Sequence, residues 1–153
     1  MLLLAVLIGV IALAVVKSSF QSEAVGLIRI SKEGFGGNGA DYETYKLTQA
    51  ELIRSAFICN AALRNSAAAN CSWVKSRTNP AEDLREALQY SSVNRTEVIQ
   101  LTLRMPDKQE AKILLDAVMN AYLESVRETA QQEPGNAMTS PKIEVIEEAQ
   151  IVN

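Results

Sequence analysis

The 153-residue sequence predicts an α+β fold: a small sheet of about three strands packed by helices in the order β-α-α-β-α-β, preceded by one N-terminal transmembrane helix. Three observations carry that prediction. Met1 to Val16 is an unbroken apolar run, the stretches from Asp41 to Asn65 and from Asp107 to Val126 repeat apolar residues at helical spacing, and Thr96 to Met105 alternates like a half-buried strand. Residues 1–20 are then an anchor and its exit. Residues 21–153 are one domain, large enough to bury a core without disulfide or metal staples.

The run MLLLAVLIGVIALAVV reaches roughly 24 Å as a helix, slightly short of a hydrocarbon core. It is read as membrane-inserting, in preference to a cleaved signal peptide using Ala12-Leu13-Ala14 or a buried core helix. The basic leader of a signal peptide is missing, and a core helix would need a polar face. Glu23 to Ile30, short and rich in β-branched residues, is a strand. Within the loop that follows, Gly34 to Gly39 satisfies G-x-G-x-x-G between a strand and a helix. A dinucleotide site also needs a second parallel strand ending in an acidic residue about twenty positions on. Those positions read Phe57-Ile58-Cys59-Asn60 and are still helical, so the glycines are read as a plain loop.

Asp41 to Asn65 reads as one long helix. At about 100° per residue it places Tyr45, Leu52, Ala56, Cys59 and Leu63 on a buried stripe, with Gln49 and Ile53 at its edge and Glu43, Lys46, Glu51 and Arg54 opposite. Phe57 and Ile58 fall off that stripe, which suits them to contact a neighbouring subunit or to pack under the next helix. Ser66 to Ser76 is a small-residue connection in which Trp73 covers the core. Asn79 as N-cap, Pro80 at the first helical position and Glu82 open a short helix through Leu88. In the Thr96 to Met105 strand, Ile99, Leu101 and Leu103 share one face. Asp107 and Glu110 spell a capping box that opens a helix burying Ala111, Leu114, Leu115, Val118, Ala121, Tyr122, Ser125 and Val126. Pro134, Gly135 and Pro141 interrupt the chain before a last strand from Lys142 to Ala149.

Chemistry is sparse. The sequence has no histidine, which removes the commonest general base and metal ligand, and its net charge of −3 gives no footprint for nucleic acid. No metal or cofactor is expected. Cys59 and Cys71 lack a metal spacing; they are either buried free thiols or, outside the cytoplasm, a disulfide. The acids Glu43, Asp107 and Glu110 are read as helix-start residues rather than catalysts.

DYETYKLTQAELIRSAFICNAALRN, then NPAEDLREAL, then EVIQLTLRMPDKQEAKILLDAVMNAYLESV, resemble the periplasmic base of the polysaccharide chain-length determinant (Wzz-type co-polymerase) family. The most specific piece is Asp116 to Leu123, and the likeness covers about Ser22 to Val126 plus Lys142 to Ala149. It implies a non-enzymatic, membrane-anchored scaffold of the bacterial inner membrane, with its domain in the periplasm. Such a protein forms homo-oligomeric rings that contact a polymerase or a lipid-linked glycan and govern chain length or export. The sequence departs from the family in replacing a long helical arm by the short Gln131 to Pro141 connection, in showing no second hydrophobic span before Asn153, and in lacking the GxxxxGK[ST] loop of kinase-fused relatives. A truncated relative, a fragment of a longer gene or a single-pass variant are the readings these departures suggest. The alternative is a small anchored or secreted binding module with the same base that has lost the co-polymerase role.

Overall fold

A computed structural model describes residues 22–32, 39–92, 96–132 and 142–152. The described chain runs β1 (Ser22–Ile30), α1 (Gly39–Ile53), α2 (Ala56–Ala62), α3 (Ser66–Asn70), α4 (Ser72–Lys75), α5 (Pro80–Ala87), β2 (Leu88–Ser92), β3 (Val98–Met105), α6 (Lys108–Gln132) and β4 (Ile143–Val152). Four strands form one antiparallel sheet in the order β2-β3-β1-β4.

This corrects the predicted fold class in two respects. The sheet has four strands where about three were expected, because α5 stops at Ala87 and Leu88 turns extended at φ −76° and ψ 122°. Leu88 is buried and Gln89 exposed, and Leu88 and Tyr90 pair with Leu103 and Leu101 of β3. The second correction concerns the membrane. Among the described residues no helix is long and apolar enough to cross one. Even α6, at 25 residues, carries charges along its length, from Lys108, Glu110, Lys112 and Asp116 to Glu124, Arg127 and Glu128. That finding conflicts with a single-pass inner-membrane protein, and Met1 to Val16, on which the expectation rested, lies outside the described residues, as do Gly34 to Asn38.

The long helix expected from Asp41 to Asn65 is also two helices. Arg54 and Ser55 separate them, and Ser55, extended at φ −67° and ψ 151°, caps α2 by accepting the Ile58 amide at 3.3 Å. The break resets the helical phase. The buried set in α1 is Tyr42, Lys46, Gln49, Ala50 and Ile53, whereas Tyr45 and Leu52 of the predicted stripe are half-buried. The connection after α2 likewise folds into α3 and α4. Asn65 caps α3 through the amides of Ala67 and Ala68, and Trp73 in α4 packs against the core with Arg77 5.1 Å from its ring centre.

The core lies between α6 and one sheet face. Ala24, Ile28 and Ile30 of β1 and Ile99, Leu101, Leu103 and Met105 of β3 meet Ala111, Leu114, Leu115, Val118, Met119 and Tyr122 of α6, all buried. On the other face Arg104 pairs with Glu23 at 3.0 Å and Arg29 with Glu97 at 2.7 Å. β4 carries an extra residue on each side of Glu147, where its register against β1 shifts. Such a bulge takes backbone groups out of the ladder. Asp116 of α6 meets that need by accepting the Ala149 amide at 2.8 Å, while Lys112 binds its other oxygen at 2.6 Å.

Candidate functional site

The two residues singled out as a subunit contact separate in the structure. Ile58 is fully buried, with Cys59 and Ala62 beside it, while Phe57 is 64% exposed, the most exposed large apolar side chain among the described residues. The helix break explains the difference. Starting a new helix at Ala56 turns Ile58 inward and leaves Phe57 on the outer side, so Ile58 is corrected to a core residue and Phe57 stands as the candidate.

Phe57 lies on the rim of a groove of 870 Å³ between α2 and α6. The α6 wall is a ridge at helical spacing, Ala117, Asn120, Ala121, Glu124, Ser125 and Glu128, and the facing wall holds Asn60 and Ala61 of α2 and Arg64 just past its end. Small residues keep the floor open, and the acids of α6 face one arginine across it. Past Val126 the helix turns outward, with Arg127 to Gln131 all exposed. This aromatic knob beside a half-polar channel suits docking of a folded surface.

The sequence's other candidates are structural. Glu43 binds Lys46 at 3.0 Å, and Asp107 caps α6 through the amides of Gln109 and Glu110 at 2.8 and 3.0 Å. Glu110 does not close the expected capping box. Its carboxylate instead accepts the Ser72 amide and hydroxyl at 2.6 Å and the Trp73 amide at 3.0 Å, capping α4 from another helix where Cys71 supplies no side-chain cap. Asn79 holds the N-cap position of α5 without a side-chain cap bond. Both cysteines are buried free thiols; burial pushes the Cys59 thiol up to about 11, so it stays protonated and unreactive at neutral pH. Among the described residues no group of three His, Cys, Asp or Glu is placed to hold a metal ion.

Partial burial raises the Glu110 pKa, but the bonds from Ser72 and Trp73 outweigh it and hold the group below the usual carboxylate value. A depressed folded-state value means the stabilisation is complete above the unfolded pKa and lost as acid carries the pH through the folded one. Glu110→Gln should therefore lose about 1 kcal/mol at pH 7, the usual worth of a helix cap. Urea titrations of both proteins should show that gap closing below about pH 4.

Sequence reasoning missed two features. Lys46, placed on the wet side of the predicted helix, is 1% exposed and reaches Glu43 and the Thr96 carbonyl at 3.2 Å. Gln49, placed at the stripe's edge, accepts the buried Tyr122 hydroxyl at 2.9 Å. Both depend on partners distant in the sequence, Thr96 and Tyr122. Compared with known proteins, the chain matches no family model and no curated sequence.

Proposed function

We propose that this chain is a non-enzymatic, self-associating scaffold in bacterial surface polysaccharide assembly, governing glycan length or export by presenting a ring of domains to a polymerase or to the growing glycan. The observation that carries this reading is Phe57, 64% exposed beside an open groove and the most exposed of the large apolar side chains among the described residues. An aromatic held out on a capped helix costs apolar exposure unless a partner covers it. The spelling that resembles chain-length determinants supports the biological context, and its segments form α1, α2, α5, β3 and α6.

Light scattering on the full chain, kept in solution by mild detergent, tests the assembly. The parent protein should be oligomeric, and Phe57→Ser should weaken association at least tenfold with unchanged circular dichroism, as expected for an aromatic anchor worth more than about 1.4 kcal/mol. A strictly monomeric parent protein, together with an unchanged glycan length distribution on deletion of its gene, would sink the proposal. A second reading, a binding module on the same base without co-polymerase activity, is favoured by the short path from Gln132 to Ile143, which leaves no room for a long arm. Complementation of a chain-length mutant separates the two, since a restored modal length excludes the module.

A further inference from the structure

We infer that Phe57 of one copy seats in a groove on the opposite flank of α6 in a second copy, so that the chain associates head to tail. The inference rests on the reading of Phe57 as a subunit contact and adds the surface that receives it.

That surface is a groove of 520 Å³ between α6 and the start of β4. Leu123 of α6 and Ile143, Val145 and Ile146 of β4 give it apolar walls, and Ile146 is 52% exposed. At about 100° per residue, the Ala121–Glu124–Glu128 ridge beside Phe57 and the Leu123–Arg127 ridge of this groove stand roughly 120° to either side of the buried stripe. Knob and socket therefore lie on separate flanks of α6, about 120° apart across its exposed side. A two-fold contact matches a surface with itself, whereas a knob and socket on opposite flanks make a heterologous contact, which repeats until a ring closes or a filament grows.

Charge agrees with this pairing. Beside Phe57 lie Glu124 and Glu128; beside the socket lie Arg127, Arg29, which is paired with Glu97, and Glu144, which is paired with Lys142. Head-to-tail docking brings the acidic ridge of one copy to the arginines of the next. A two-fold contact through the Phe57 groove would bring that ridge against its own copy, with Arg64 as the only nearby base among the groove-lining residues.

Mixing two defective full-length chains tests the geometry by light scattering. Phe57→Glu destroys the knob and keeps the socket; Ile146→Glu destroys the socket and keeps the knob. Each alone should be monomeric, and the equimolar mixture should give a particle of twice the chain mass and no larger, because one intact contact remains. A mixture that stays monomeric while both single variants lose assembly overturns the head-to-tail contact. Wild-type assembly by Phe57→Glu overturns the Phe57 reading and this inference together, and wild-type assembly by Ile146→Glu overturns only the socket. Should Ile146→Glu fail to fold, Arg127→Glu takes its place: it should weaken assembly at least tenfold, and combining it with Glu128→Arg should restore it. Absence of that rescue counts against the pairing.

Discussion

Tyr122→Phe is expected to cost about 1–3 kcal/mol, although it removes a single oxygen atom. The Tyr122 hydroxyl donates to Gln49 Oε1 at 2.9 Å, and both groups are buried between α6 and α1. Removing the donor leaves an amide carbonyl out of water with no partner, which costs more than the bond contributed. The double variant Tyr122→Phe with Gln49→Leu should recover most of the loss, because an apolar pair leaves nothing unsatisfied. Tyr122→Ala is worse. It adds a cavity beneath α6 and should bring the total to about 3–5 kcal/mol, a large part of the stability of a domain this size. Urea denaturation checks all three: the midpoints should fall in the order parent, double variant, Tyr122→Phe, Tyr122→Ala, with slopes unchanged. Equal midpoints for the parent and Tyr122→Phe would mean that Gln49 finds water, and that α1 is held by packing alone.

The elements that proved legible in the sequence are those whose own periodicity decides their burial. Of the predicted α6 stripe, Ala111, Leu114, Leu115, Val118 and Tyr122 are buried as their spacing predicts, whereas Ala121, Ser125 and Val126 are only partly buried; the Ile99, Leu101 and Leu103 face of β3 is buried. What was illegible depends on distant partners or on a break without a marker. Arg54-Ser55 has neither proline nor glycine, so nothing local announces the end of α1, and the error in phase displaced Lys46 and Ile58 together. Lys46 could not be placed from its neighbours because one of its two hydrogen-bond acceptors is the carbonyl of Thr96, fifty residues away. β2 is only five residues long and starts at Leu88, where the helical reading ends, so Gln89 to Ser92 belong to no predicted element. For the candidate site, the sequence identified Phe57 but not its exposure, and missed the β4 groove because Ile146 is displaced by a bulge that periodicity does not show.

The bulge, the two flanking grooves and the long helix share one requirement: α6 must lie close on the sheet along β1. Gly26 permits that approach. A Cβ at this position would lie 2.4 Å from Met119 Sδ, 3.2 Å from its Cε and 3.6 Å from Leu115 Cδ2. Glycine in a strand interior costs about 0.5–1 kcal/mol relative to alanine, so its presence in an inner strand has to be offset by packing above it. Gly26→Ala meets only the flexible end of Met119, and a thioether that can swing aside limits the loss to about 1 kcal/mol. Gly26→Val adds branches that one rotamer change cannot clear; overpacking should cost about 3 kcal/mol, and α6 should rise from the sheet. Met119→Ala alone should cost about 2–3 kcal/mol through the cavity it leaves. The two changes combined put the valine where the methionine was, so their joint loss should fall short of the sum by about 1–3 kcal/mol in a denaturation cycle. Strict additivity would show that Gly26 and Met119 do not share this space, and that something other than Gly26 sets the height of α6 above the sheet. If the coupling holds, Gly26→Val also displaces both groove walls carried by α6, and it should weaken assembly even though it touches neither Phe57 nor Ile146.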